Sequence, residues 1–217
     1  MAQPPLYLLS GLGADERMFQ FLDLHHPNPR VLKWITPDPE DTLATYALKL
    51  TQQMEPSQEP PIVIGLSFGG MVAQELARQI PVKRLILIST LVDTNQIALH
   101  YRFWGWLKVQ KWLPFEIAKR FTGLGAWLFG VDSAEDKAIF RSIIQDTDVP
   151  TLRWSLTQIL TWHSPSPPPE AIIIHGDRDK LLPVPKVPHL HLVKGGEHLI
   201  VLNRAKEVSE LVNRYLD

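Results

Sequence analysis

Pro61-Ile62-Val63-Ile64-Gly65-Leu66-Ser67-Phe68-Gly69-Gly70 decides how the rest of the chain is read. A short β-branched run meets a serine held between glycines, and an amphipathic segment, Met71 to Ile80, follows directly. The run reads as a buried strand and the segment as a helix. Gly65-Leu66-Ser67-Phe68-Gly69 fits G-x-S-x-G, the sharp turn that lifts a serine hydroxyl above a parallel sheet. The glycines have a steric reason. Strand and helix nearly touch at such a turn, and side chains two residues either side of the serine would collide.

Working outward, the same pattern repeats. Leu6 to Leu9 is a short buried-type strand that runs into Ser10-Gly11-Leu12-Gly13-Ala14-Asp15. Two glycines after a strand let backbone N–H groups approach a ligand closely. Asp15 caps a helical stretch, Glu16 to Leu22. Val31 to Ile35 reads as a second strand. Thr42 to Met54 reads as a helix with Leu43, Tyr46, Ala47 and Leu50 at helical spacing. After Ser67 the helix runs to Ile80, and Val82 to Ser89 is a strand with the unbroken core Leu85-Ile86-Leu87-Ile88. Continuous apolar strands alternating with helices mean an α/β fold around a parallel sheet.

From about Leu91 to Pro169 the alternation stops. This stretch reads as helical pieces: Ile97 to Trp112, Pro114 to Phe121, Ser133 to Asp146 and Thr151 to Trp162. Six of the seven tryptophans lie in it: Trp104, Trp106, Trp112, Trp127, Trp154 and Trp162. A thin helical layer cannot bury so much aromatic surface alone. Two readings stand side by side. The aromatics dock the layer on the sheet domain, or they form an apolar lid over a pocket, since pockets are lined mainly by apolar and aromatic side chains.

Four prolines in the six residues from Ser164 to Pro169 make a stiff return to the sheet. Ala171 to Ile174 is then a core strand, followed by His175-Gly176-Asp177-Arg178-Asp179-Lys180-Leu181-Leu182-Pro183. His189 to Val193 is a last strand, followed by Lys194-Gly195-Gly196-Glu197-His198. A closing amphipathic helix runs from Leu199 to Leu216. Ser67, then Asp177 or Asp179, then His198 each follow a strand. In a parallel sheet these turns share the carboxyl edge, where ligands bind. The chemistry explains the residue types. A serine hydroxyl is a poor nucleophile at neutral pH and needs an imidazole to take its proton. The imidazole needs a carboxylate to fix its tautomer and stabilise its charged form.

On these motifs the chain resembles α/β-hydrolase-fold proteins with a helical cap, over nearly its whole length. The resemblance implies a three-layer α/β sandwich. Residues 1–90 and 170–217 would form the hydrolase core, and 91–169 a helical cap inserted between core strands. The two antiparallel strands that usually precede the first strand are missing, so a reduced, parallel sheet of about six strands is expected. The family's H-G-x-x-D-x-x-x-P pattern maps the acid onto Asp179, with Asp177 the competitor. By the same analogy the backbone N–H groups of Leu12 and Phe68 would form an oxyanion hole. Ser10 stands where the family usually carries a histidine before that loop.

The implied activity is that of a carboxylesterase-like serine hydrolase. It would act on a small-molecule ester or thioester with an apolar moiety, through Ser67, His198 and Asp179 and an acyl-enzyme, with no metal or organic cofactor. Similar folds also host C–C hydrolases, lyases, cofactor-free peroxidases and non-catalytic binding members. The intact serine, aspartate and histidine argue against the last of these.

The bulk numbers narrow the rest. The chain has 217 residues, enough for one domain with an insertion. Net charge is −1, from 22 basic and 23 acidic residues, so no basic surface points to nucleic acid. The absence of cysteine excludes thiolate catalysis and cysteine-bound zinc. No run approaches the ~18 apolar residues of a membrane helix, and the N-terminus lacks the features of a secretory signal. A cytoplasmic protein is the expectation. Among the other histidines, His189 and His191 alternate on one strand, which suggests a metal pair but supplies no third ligand. His25 and His26 read as solvated, and His175 as a packed core residue. His100 and His163 lie where a cap could touch substrate. Asp15, Glu16 and Arg17 read as a helix-start ion pair, with Arg17 alternatively reaching an anionic substrate.

Overall fold

In the computed structural model, residues 3–92, 94, 122–164, 168 and 170–216 are described. The expected helices Ile97 to Trp112 and Pro114 to Phe121, with Trp104, Trp106, Trp112 and His100, lie outside the described residues. Among the described residues, no helix is long and apolar enough to cross a membrane.

Six short runs pair as strands: β1 (Leu6–Leu9), β2 (Pro29–Val31), β3 (Ile62–Leu66), β4 (Arg84–Ile88), β5 (Ile172–Gly176) and β6 (Leu190–Val193). They form one sheet in the order β2-β1-β3-β4-β5-β6, and every pairing is parallel. Strand side chains alternate between faces. Leu6, Leu8, Ile62, Ile64, Leu66, Ile86, Ile88 and Ile174 enter one core. Tyr7, Leu9, Val63, Leu85, Leu87 and Ile173 enter the other. Each of these isoleucines and valines is buried on folding, contributing about 1.5–3 kcal/mol per side chain. Two buried faces require two flanking layers, and the helices supply them.

The described helices are α1 (Leu43–Leu50), α2 (Phe68–Ala77), α3 (Thr122–Phe129), α4 (Ala134–Asp146), α5 (Val149–Thr161), α6 (Ile200–Asn203) and α7 (Ala205–Asn213). Helix α1 starts at a capping box between Thr42 and Thr45 and buries Leu43, Tyr46, Ala47 and Leu50, the spacing expected. Helices α1, α2 and α5 cover one face, while α3, α4, α6 and α7 contribute to the other.

Three expected boundaries shift. The second strand lies at Pro29–Val31 instead of Val31 to Ile35. The stretch after Asp15 is a single 3-10 turn, Glu16–Phe19. The closing helix breaks at Arg204 (φ −134°, ψ 29°). There the Arg204 guanidinium turns away to the Gly195 carbonyl (3.2 Å), and the Asn203 amide donates to Gly130 (2.9 Å). Tertiary bonds thus override the amphipathic period. His189 adopts a left-handed φ of 59° just outside β6, and His191 pairs with the Tyr215 hydroxyl at 2.7 Å, so the two histidines do not form a pair.

The strand order places the site. The chain leaves β1 outward to β2, then crosses back to β3 on the other side of β1. Connections diverge at that switch point, and the loops after β1 and β3 face one another at the carboxyl edge.

Candidate active site

Ser67 sits between β3 and α2 with φ 51° and ψ −117°. A left-handed φ at a residue with a Cβ costs about 1–3 kcal/mol and persists only where neighbours impose it. They do so here. The Ser67 N–H donates to Ile88 O of β4 at 2.9 Å, and its carbonyl accepts from Gly70 N–H at 3.0 Å. The Thr90 hydroxyl donates to the same carbonyl at 2.5 Å. The flanking glycines leave no room for more. A Cβ on Gly65 would meet Gly70 Cα at 2.5 Å, and one on Gly69 would meet Ser10 O at 2.2 Å.

Ser67 Oγ lies 2.9 Å from His198 Nε2, and His198 Nδ1 lies 2.8 Å from Asp179 Oδ2. The carboxylate accepts only, so the hydrogen-bond network assigns the proton to Nδ1 and leaves Nε2 free to accept from the serine hydroxyl. Asp179 is held at its other oxygen as well. Oδ1 accepts from the N–H of Leu181 (2.8 Å) and of Leu182 (2.9 Å). Burial pushes the Asp179 carboxyl up, but the bonds from His198 and Leu182 outweigh it and hold the carboxyl below its ordinary value. The side chains of Asp179 and His198 are buried. Asp177 does something else. Its Oδ1 accepts from Gly195 N–H at 2.6 Å, on the surface, and ties the β5 turn to the loop that carries His198.

The loop after β1 lacks the family's histidine, and Ser10 closes it by other means. Buried Ser10 donates from Oγ to Ala14 O at 2.6 Å, and Ala14 N–H donates back to Gly11 O at 3.0 Å. Trp34 Nε1 also donates to Gly11 O, at 3.2 Å. Leu12 at the crest of this loop and Phe68 at the start of α2 line the same cavity as Ser67 and His198. The first N–H groups of a helix have no intrahelical acceptor.

That cavity measures about 200 Å³. Met71, Leu91, Phe129, Leu156, Ile159, Leu160, Leu181 and Leu182 complete its described wall. None was singled out from the sequence, although 156, 159 and 160 carry the i, i+3, i+4 spacing that marks one helix face. Helix α5 has two jobs on two faces. Trp154 Nε1 (3.1 Å) and Gln158 Nε2 (3.3 Å) donate to Asp41 O, and Trp162 Nε1 donates to Glu75 Oε1 (2.8 Å). Trp154 also packs on Tyr46, with ring centroids 4.5 Å apart. The opposite face presents Leu156, Ile159 and Leu160 to the cavity. Trp154 and Trp162 therefore dock the helix, and aliphatic residues line the space. Trp127 is exposed and lies under the Lys180 ammonium, 5.1 Å away.

Lys180 also bonds Glu197 Oε1 at 2.7 Å, and the Phe129 ring meets the His198 ring edge-on at 5.3 Å. Helix α3 thus packs on the loops carrying the carboxylate and the imidazole. Arg17 is engaged by Asp15 (2.5 Å), Asp146 (2.8 Å) and Ser142 (2.9 Å), so it bridges the loop after β1 to α4 and does not enter the cavity. His163 lies 3.5 Å from Thr94 Oγ1 and is not part of the wall. Among the described residues no three His, Asp or Glu side chains converge as metal ligands.

The model of the alpha/beta hydrolase family matches residues 6–211. No curated protein matches the sequence significantly. Solved structures share the fold at low identity. A hydrolase from Pseudomonas aeruginosa is 20% identical with a TM-score of 0.69, covering 100% of this chain and 91% of its own. A thermophilic esterase from Thermogutta terrifontis is 16% identical with a TM-score of 0.68, covering 98% and 89%. A meta-cleavage product hydrolase from Pseudomonas fluorescens is 17% identical with a TM-score of 0.66, covering 98% and 90%.

Proposed function

The chain belongs to the alpha/beta hydrolase family, and from that premise we propose that it is a carboxylesterase-like serine hydrolase of small-molecule esters or thioesters with an apolar moiety. The observation that carries this reading is the line from Ser67 Oγ through His198 to Asp179, at 2.9 and 2.8 Å, opening on an apolar cavity.

In this reading Ser67 Oγ attacks the substrate carbonyl carbon while His198 Nε2 takes the hydroxyl proton. Asp179 holds the imidazole and stabilises its charged form. The carbonyl oxygen becomes an oxyanion facing the N–H groups of Leu12 and Phe68, each worth about 3 kcal/mol to the transition state. The bond to the leaving alcohol or thiol then breaks, and His198 returns the proton to it. Water, activated by the same imidazole, attacks the acyl-enzyme and releases the acid. Residues 91–169 act as the cap. Its helix α5 supplies the aliphatic wall for the apolar moiety, and no charged side chain of the described wall favours an anionic one.

A fluorophosphonate probe followed by peptide mass spectrometry tests the reading, beside turnover of p-nitrophenyl butyrate. Ser67 is expected to carry the adduct, and Ser67→Ala to lose both adduct and turnover. A folded wild-type protein that takes no label, or Ser67→Ala labelled as well as wild type, would sink it.

A further inference from the structure

His175, which does not touch Ser67, shares a buried pocket with the carboxylate of Asp179. Its side chain is wholly buried, and Nε2 faces two oxygens, Leu182 O at 3.4 Å and Asp179 Oδ2 at 3.3 Å. Only an N–H is compatible with two acceptors there, so the network puts the proton on Nε2. The other ring nitrogen agrees. Nδ1 is buried and meets no hydrogen-bond partner among the described residues. A proton on Nδ1 would be an orphaned buried donor, the costlier arrangement. Burial also disfavours the charged ring, and the Asp179 carboxylate opposes it only in part. The titratable groups acting on this ring are Asp179 and His198.

The contacts form a chain. His175 Nε2–H bonds Leu182 O, Leu182 N–H bonds Asp179 Oδ1, and Asp179 Oδ2 bonds His198 Nδ1. Leu182 also lines the cavity. One neutral N–H therefore anchors the turn that aims the carboxylate. The ring itself is rooted in β5, whose backbone lies between β4 and β6.

We propose that His175 is a positioning residue for the Asp179–His198 pair, acting as an Nε2–H donor that fixes the 179–182 turn. The proposal deepens the hydrolase reading and rests on it for its kinetic consequence, but its structural content does not depend on turnover.

Three measurements test it. In wild type, nitrogen-15 NMR of the histidine rings is expected to place the His175 proton on Nε2 at neutral pH. A proton on Nδ1, or on both nitrogens, overturns the proposal whatever the variants do. The low-field Nδ1–H resonance of His198 is expected to broaden and move upfield in His175→Leu and His175→Phe, which lack a donor, and to be retained in His175→Gln, which keeps one near the Nε2 position. For p-nitrophenyl butyrate, loss of the donor is expected to lower kcat about tenfold with KM changed less than about twofold, and Gln to restore most of the rate. Equal rates and resonances in the donor-free variants and wild type overturn the proposal. So does a Gln variant as impaired as Leu, since packing alone would then account for the loss. Failure of the hydrolase reading looks different: Ser67 takes no fluorophosphonate label in wild type, while the His198 resonance still reports on His175.

Discussion

Thr90 holds the backbone of Ser67 from the loop that follows the neighbouring strand β4. Its hydroxyl donates to the Ser67 carbonyl at 2.5 Å, and its side chain fills the space a Cβ on Gly70 would need, 2.5 Å from Thr90 Oγ1. Thr90→Val keeps the shape and removes the donor. The loss is expected to cost about 1 kcal/mol, which is about 2–4 °C in Tm for a domain of this size. The strained Ser67 peptide also gains freedom, so labelling by a fluorophosphonate is expected to slow about tenfold. Calorimetry and labelling kinetics check the two effects separately.

Glycines in this chain are not equivalent. Gly69→Ala would press a methyl against the backbone oxygens of Ser10 and Leu9, at 2.2 and 2.3 Å. Neither atom can swing aside, so β1 and α2 must part, and a loss above about 3 kcal/mol is expected. Gly123→Ala meets nothing within 4 Å among the described residues and lies in α3, where alanine is favoured by about 1 kcal/mol. Thermal unfolding of the two variants is expected to move in opposite directions.

Acyl length is set by α5 if the cavity holds the acyl group. Leu160→Trp fills part of the 200 Å³ space. The ratio of kcat/KM for p-nitrophenyl octanoate over acetate is expected to fall by about tenfold or more. An unchanged ratio would mean that the acyl group lies elsewhere.

Two buried groups give acid sensitivity in separate windows. Burial lowers the pKa of His175 below its ordinary 6.5, so the unfolded chain binds a proton that the folded chain refuses. Stability from this source is complete above pH 6.5 and falls as pH drops below it. Asp179 is also lowered, from 3.8. Its contribution is present above that pH and is lost as pH falls through the folded value. His175→Gln is expected to flatten the Tm profile just below pH 6.5 and to leave the loss below about pH 4 in place. Calorimetry across pH 3.5–8 separates the windows.

Much of this architecture was legible because its signals are local. Ile62 to Ile64 and Leu85 to Ile88 are β-branched or aliphatic runs too short for helices, and β3 and β4 form on them. Ser67, Asp179 and His198 each sit in a short loop after such a run, which marks them as candidates without geometry. What escaped depends on distance. Asp177 and Asp179 are two residues apart, so the residues alone left them as competitors and the family resemblance favoured Asp179; the turn has Asp179 accept from Leu181, Leu182 and His198 while Asp177 faces Gly195. The helix break at Arg204 answers to carbonyls at Lys194 and Gly195, out of reach of any local pattern. His175 read as core packing because a strand-end histidine carries no mark of what its ring will face.

Ser67 and His198 stand 131 residues apart in the chain yet meet at 2.9 Å. Four strands of a parallel sheet must find their register before that hydrogen bond can form, and such non-local pairings are slow to assemble. During refolding, helical signal is therefore expected to return first and Ser67 reactivity last. A covalent probe of one hydroxyl then becomes a clock for completion of the whole sheet.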